Sequence, residues 1–248
     1  MLTKLFSKKG DNKALIPPGR RIYAVGDVHG CLAELRALMG IIDADSVAAP
    51  IDGRRLIFLG DYVDRGPDSK GVIETMIGLR QAAPEAVFLK GNHEAAMLDF
   101  MANPRQHGEW LHWGGDKTLE SYGLAHVMAR DEADLAAELS RVMPTAHRDF
   151  LESLDLMHVE GDYVFVHAGL KPGVALDDQD ASDLMWIRNE FHKTPSDKRP
   201  DKIVVHGHHP VKKPQDEGWR INVDTGACWS GMLSALVLEE TSRRFLTT

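Results

Sequence analysis

The strongest constraint on this chain is a strand–turn–helix step that occurs three times within its first hundred residues. Apolar runs at Ile22-Tyr23-Ala24-Val25, Leu56-Ile57-Phe58-Leu59 and Ala86-Val87-Phe88-Leu89 read as buried strands, because each is short, continuous and stopped by a glycine-containing turn. Helical spacing follows each run. Leu32, Leu35, Leu38 and Met39 share one stripe between Leu32 and Ile42, Ser69 reads as the N-cap of a helix through Leu79, and a third helix begins at Glu94 and reaches Met101. A step of about thirty residues is that of a βαβ unit, which lays successive strands parallel. The turns carry Asp27-Val28-His29, Gly60-Asp61-Tyr62-Val63-Asp64-Arg65-Gly66 and Gly91-Asn92-His93-Glu94. Ligands of α/β sheets gather beyond the carboxyl ends of the strands, so these blocks are expected at one end of one sheet.

The second half repeats the theme with strands alone. Tyr163-Val164-Phe165-Val166 leads into His167-Ala168-Gly169, Ile203-Val204-Val205 into His206-Gly207-His208, and Arg220-Ile221-Asn222-Val223 into Asp224-Thr225-Gly226. Met232 to Leu238 and Arg244 to Leu246 read as closing antiparallel strands. Between the halves, residues 102–156 are rich in Trp, His and acidic residues, with helical patterns at Asp131 to Val142 and Ala146 to Leu154. Their apolar faces are too few to core a domain, so an inserted helical segment forming a wall of the site is expected. Lys193 to Lys202, with Pro195 and Pro200, reads as a mobile loop. Residues 1–20 read as a flexible lead-in and 21–248 as a single domain, a length that one cored unit accommodates.

A net charge of -8 argues against a nucleic-acid polymer as partner. Two cysteines, Cys31 and Cys228, make no disulfide framework and suit a reducing cytoplasm. No apolar run approaches membrane-spanning length, and the N-terminus lacks the continuous apolar stretch of a secretory signal. A cytoplasmic protein without stable membrane association is therefore expected.

A single Asp or His at a strand end is usually a cap or a surface group. Here Asp27/His29, Asp61, Asn92, His167 and His208 all follow apolar runs, which favours a pair of divalent metal ions. Asp27 and His29 can face one ion, Asn92, His167 and His208 a second, and Asp61 can bridge both through its two oxygens. The mixed oxygen and nitrogen donors suit Mn, Fe or Zn better than Ca or Mg. Water held between two cations loses a proton near neutral pH and becomes a direct, in-line nucleophile. Arg65 and Arg188 are the candidates to grip phosphate, with Asn92 facing the substrate as well as a metal. His93 is the candidate proton donor to a leaving alkoxide, with Asp64 orienting it. Cysteine-phosphatase and phosphate-loop NTPase patterns are absent, since Cys31 has its Arg36 one position short and no Gly-x4-Gly-Lys-Ser/Thr occurs.

On these blocks, together with His167-Ala168-Gly169 and Gly207-His208, the sequence resembles the calcineurin-like metallophosphoesterases. Within them it resembles the phosphoprotein phosphatase (PPP) family, in its compact bacterial and phage form. The resemblance implies an α/β fold, a four-layer α/β/β/α sandwich of two mixed sheets flanked by helices. It implies a first metal on Asp27, His29 and Asp61 and a second on Asp61, Asn92, His167 and His208, with Mn the usual metal. It further implies phosphate binding by Arg65 and Arg188, and His93 with Asp64 as general acid. His209 stands where such relatives often carry Thr, which leaves His206, His208 and His209 as rival ligands; the Gly-His register selects His208. The expected activity is hydrolysis of protein phosphoserine and phosphothreonine, with phosphotyrosine or a phosphorylated small molecule as further substrates. A symmetrical diadenosine tetraphosphate hydrolase shares the same blocks, with Trp110 and Trp113 available to stack adenine. A non-catalytic metal- or phosphate-binding module is the alternative from another class.

Overall fold

The computed structural model describes residues 14–248. The chain runs β1 (Arg20–Val25), α1 (Leu32–Ala48), β2 (Gly53–Phe58), α2 (Ser69–Ala82), β3 (Val87–Phe88), α3 (Asn92–Ala102), α4 (Asp116–Ser121), α5 (Glu132–Val142) and α6 (Thr145–Glu152). It continues through β4 (Met157–Glu160), β5 (Tyr163–Val166), α7 (Ala181–Trp186), α8 (Asn189–His192), β6 (Ile203–His206), β7 (Gln215–Asp216), β8 (Arg220–Asn222), α9 (Ala227–Ser230), β9 (Ser234–Glu239) and β10 (Ser242–Thr247).

Two mixed five-stranded sheets result, ordered β10-β9-β1-β2-β3 and β4-β5-β6-β8-β7. In the first, β1, β2 and β3 are parallel and β9 and β10 close the edge antiparallel. In the second, β5, β6 and β8 are parallel.

Side-chain alternation builds the layers. On β1, Ile22 and Ala24 join a core that also holds Tyr163, Phe165, Val205 and Leu236, so these faces meet between the sheets. Tyr23 and Val25 point the other way, into a core with Leu35 and Leu38 of α1 and Val72 and Met76 of α2. Val164, Val166 and Val204 face outward from the second sheet onto Leu184, Ile187 and Phe191 around α7 and α8. Three cores between four layers give the α/β/β/α sandwich, and strands buried on both faces explain the continuous apolar runs.

Several local expectations change. Asp68, not Ser69, caps α2: its carboxylate accepts the Gly71 amide at 2.8 Å, while the Ser69 hydroxyl accepts the Asp64 amide at 3.0 Å. Helix α3 begins at Asn92, so Asn92 and His93 stand in its first turn. Of the lead-in, residues 1–13 lie outside the described residues. From residue 14 the chain is pinned, with Ile16 buried and its amide donating to the Glu240 carbonyl at 3.2 Å. Within 102–156, Leu119, Leu135, Leu139 and Phe150 share the outer core of the first sheet with Val72, Ile73 and Phe100. The 193–202 stretch forms a short 3-10 turn over Ser196–Lys198, and the Lys198 carbonyl accepts the Gly173 amide at 3.2 Å.

Candidate metal centre and phosphate cleft

The polar blocks meet at the carboxyl ends of both sheets. Donor atoms of His29, Asp61 and His93 form one tight group and those of Asp61, His167 and His208 another, each within 4.8 Å, and Asp61 belongs to both. Its Oδ2 lies 3.3 Å from His29 Nε2 and its Oδ1 lies 3.4 Å from His167 Nε2. Oδ1 also accepts the His93 amide at 3.1 Å, which sets the carboxylate at the positive end of α3. Asn92 Oδ1 is 2.9 Å from His167 Nε2, and His208 Nδ1 is 3.2 Å from the same nitrogen.

The environment suits cations. His29 Nδ1 sits 2.8 Å from the Val63 carbonyl and His167 Nδ1 sits 2.8 Å from the Leu59 carbonyl, so each ring donates there and turns a lone pair at Nε2 toward Asp61. Burial pushes His29 down to about 3 and His208 down to about 2, which keeps both rings neutral. The buried Nε2 of His208 has no hydrogen-bond partner among the described residues. Burial opposes the charge on Asp61, but the surrounding imidazoles, His167 foremost, hold it below the usual carboxylate range. Neutral imidazoles, a shared carboxylate and a carboxamide are the donor set that a pair of divalent ions takes.

Asp27 stands slightly apart and is in neither tight group. Its Oδ2 and Oδ1 accept the His208 amide at 3.0 and 3.3 Å. Burial first, then the carboxylates of Asp224 and Asp61, raises it well above the usual range. Asp224 was not singled out among the site residues. It is 3% exposed and is itself pushed up to about 6, chiefly by burial. Three buried carboxyl groups so close together resist being ionised at once, and bound cations would relieve that. Two glycines permit this crowding: a Cβ at Gly207 would collide with the Asp27 carboxylate, and one at Gly91 with that of Asp61.

His93 and Asp64 form a buried pair, with Nδ1 2.6 Å from Oδ2. Asp64 also accepts from Trp110 Nε1 at 2.7 Å and Thr118 Oγ1 at 2.7 Å, so the inserted segment supplies two of its three side-chain donors. Burial works against a charged His93, but Asp61 and Asp64 outweigh it and lift the ring above its ordinary value. Trp110 is thus a buried support for Asp64 rather than a stacking surface, at 1% exposure.

Arg65 lies across the mouth of the site, its Nη1 2.6 Å from His29 Nε2 and its Nη2 2.8 Å from His93 Nε2. Its guanidinium carbon is 4.9 Å from the centroid of the Trp229 ring. Arg65, Asn92, His93 and Arg188 line a cleft of about 570 Å³, whose rim carries Trp113, Trp186 and Trp229. Trp113 meets Trp186 edge to face at 5.6 Å. Of the three rival histidines, His208 joins a candidate donor group, with Asp61 and His167. His206 is buried 3.3 Å from Arg220 Nη1, and His209 pairs with His192.

Glu94 is the anchor that sequence reasoning left without a role. It is fully buried, and its Oε2 accepts the amides of Asp61 and Gly91 at 2.9 Å each, while Oε1 accepts those of Tyr62 and Val63 at 2.7 and 3.2 Å. One carboxylate thereby ties the second polar block to the third. The turns are under backbone strain: His29, Asp61, Asp64, Arg65 and His208 all have positive φ, between 45° and 73°.

Two buried donor groups that share one carboxylate could hold a pair of divalent ions. Residues 20–231 match the family model described as calcineurin-like phosphoesterase, and the chain belongs to that family. It is 30% identical over 229 residues to the asymmetrical bis(5'-nucleosyl)-tetraphosphatase PrpE of Anoxybacillus flavithermus, covering 86% of this chain and 88% of that protein. A solved structure assigned as a diadenosine tetraphosphatase superposes with a TM-score of 0.63 at 24% identity, over 94% of this chain and 98% of that one. A protein serine/threonine phosphatase from Saccharomyces cerevisiae gives a TM-score of 0.63 at 17% identity, over 93% and 80%. Among the described residues, no helix is long and apolar enough to cross a membrane.

Proposed function

We propose that this chain hydrolyses dinucleoside polyphosphates, with protein phosphoserine and phosphothreonine as the second reading. The observation that carries the choice is the indole rim. Trp113, Trp186 and Trp229 are 39%, 38% and 64% exposed around the cleft that holds Arg65, His93 and Arg188. Exposed indoles beside a phosphate site suit nucleobases, since stacking on an aromatic side chain contributes about 1–3 kcal/mol per base. The name of the relative from Anoxybacillus flavithermus supports the same substrate class. The second reading keeps its place because Arg65, Asp64 and His93 address a phosphate and its leaving oxygen without reading the carrier.

In this reading Asp27, His29 and Asp61 would hold one ion, and Asp61, Asn92, His167 and His208 a second. Mn is first choice ahead of Fe or Zn, and the setting is cytoplasmic, consistent with two free cysteines. Bound ions supply Lewis acidity toward water and phosphate. Arg65 and Arg188 orient the phosphoryl oxygens through charge-assisted hydrogen bonds. His93, held by Asp64, delivers a proton from Nε2 to the departing oxygen. For it to do so Arg65 must release that nitrogen, and an incoming phosphate gives the guanidinium a stronger acceptor.

The test is a side-by-side assay of diadenosine tetraphosphate and a phosphoserine peptide with Mn, on the parent chain and on Trp113→Ala/Trp186→Ala. The dinucleotide should show the higher kcat/KM, and the double variant should raise its KM about tenfold or more. A higher kcat/KM for the peptide would overturn the proposal in favour of the second reading.

A further inference from the structure

Arg188 lines two cavities at once. One is the cleft over His93; the other is a groove of about 530 Å³ whose walls include His192, His209, Gln215, Arg220 and Asn222. Among the described residues, no Asp or Glu lines this groove.

Its walls are built rather than incidental. The backbone of His209 is fixed at both ends: its amide donates to the Gly207 carbonyl at 2.8 Å, and its carbonyl accepts from Asn222 Nδ2 at 2.8 Å. The His209 ring packs 4.7 Å from that of His192, which in turn lies 5.7 Å from both Phe191 and His206. Arg220 is 7% exposed and directs Nη1 to His206 and Nη2 to Glu217. Its Nε, and Nε2 of His192, are buried with no hydrogen-bond partner among the described residues. These two atoms are shielded from the groove itself; what faces it is a set of guanidinium and imidazole side chains with no carboxylate among the described lining residues, reached from the cleft through a shared arginine, and such a wall favours an anion from outside the chain.

We infer that this groove is a second anion subsite, which receives the phosphates of a polyphosphate chain beyond the one that is cleaved, with Arg188 serving both. A guanidinium fork and imidazole N–H groups match phosphate oxygens, whereas a phosphoserine peptide brings no second phosphate to meet them. The natural substrate named for the subsite rests on the dinucleoside polyphosphate reading; the binding of linked phosphates there does not.

The experiment follows p-nitrophenyl phosphate hydrolysis by the full chain at a fixed free Mn concentration, inhibited by orthophosphate or by tripolyphosphate. Parent, His192→Ala, His209→Thr and the double variant are compared, with His192→Gln as the conservative rescue. Orthophosphate reports the metal site alone, and tripolyphosphate reaches past it. The ratio of tripolyphosphate to orthophosphate affinity should fall about tenfold in each single variant, further in the double, and recover in part with Gln. Calorimetric titration of tripolyphosphate into the metal-free protein should lose affinity in the same order. A ratio that does not move in any variant overturns the subsite. The two proposals separate cleanly. Loss of discrimination in a chain that does not cleave diadenosine tetraphosphate keeps the subsite and removes the substrate reading. Cleavage with the same KM in parent and double variant does the reverse.

Discussion

The first sheet sends Asp27, His29, Asp61, Asn92, His93 and Arg65 to the site from three turns, the second and third of them tied together by Glu94, whereas the second sends His167, His208 and Asp224 off its strands and Arg188 from the junction of α7 and α8. Each sheet thus brings carboxylate, imidazole and arginine, and what differs is the anchoring: two of the first-sheet turns are held by one buried carboxylate through four amides, the second-sheet groups by the strands they leave. Asp61 is the residue shared by the two donor groups. Cations bound there would clamp the ends of the two sheets together.

The largest effect should come from the residue common to both groups. Asp61→Asn should abolish Mn-dependent turnover and cancel the rise in Tm that Mn gives the parent, because ligand binding to the folded state raises its stability. His208→Ala, which alters only one group, should retain part of that rise. Equal Tm responses in the two variants would break the contrast, and retained turnover in Asp61→Asn would reject the shared position.

Next in size is His93→Asn. Loss of a general acid should slow alkyl phosphate hydrolysis by about 10²–10⁴-fold, with a much smaller loss on p-nitrophenyl phosphate, whose leaving group needs little protonation. Equal losses on both would remove the proton-donor role.

Glu94→Gln probes the anchor of the first-sheet turns. An amide nitrogen would then face backbone N–H groups that now meet a carboxylate oxygen, at a cost of about 1–3 kcal/mol in urea unfolding. An unchanged midpoint would show that the four amides find other acceptors.

The smallest effect lies far from the site, where Asp45 of α1 holds Arg244 of β10 at 2.6 Å and Tyr23 of β1 at 2.6 Å. The hydrogen bond from Arg244, aided by Tyr23, lowers the Asp45 pKa below its ordinary 3.8. A depressed carboxylate stabilises the fold above its unfolded pKa, and the gain is lost as pH falls through the folded value. Asp45→Asn should therefore cost about 1 kcal/mol or less near neutral pH and nothing in strong acid. A difference that grows toward acid would contradict the assignment.

Much of the fold was legible because period and punctuation agree. Strands buried on both faces must be apolar throughout, and a parallel step of about thirty residues leaves few alternatives. The convergence of His29, Asp61, His167 and His208 was legible for the same reason, since each follows an apolar run; that Asp27 stands apart while His93 joins His29 and Asp61 was not. Asp224 carried the same signal, the end of an apolar strand, yet only its proximity to Asp27, almost two hundred residues away in sequence, shows that it belongs. The Trp110–Asp64 bond, the four amides on Glu94 and the groove beyond Arg188 have no sequence period. They arise where segments distant in the chain close on one another, and no local pattern records that. Ser69 was misread as a cap because Asp68 and Ser69 are both good cap residues, and only the reach of the Asp68 carboxylate to Gly71 decides between them.

The positive φ angles at Asp61, Asp64 and Arg65 set the chain's chemistry against its durability. Glycine would ease the backbone at each of these positions while deleting the group that acts there. At Arg65, whose side chain lies at the mouth of the site, that exchange opens no buried gap, whereas at Asp61 and Asp64 it would leave the His93 amide, Trp110 Nε1 and Thr118 Oγ1 without their acceptor. A copy of this protein released from the demand for turnover would therefore shed its half-buried arginine long before its buried carboxylates, and keep the look of a metal site after its grip on phosphate was gone.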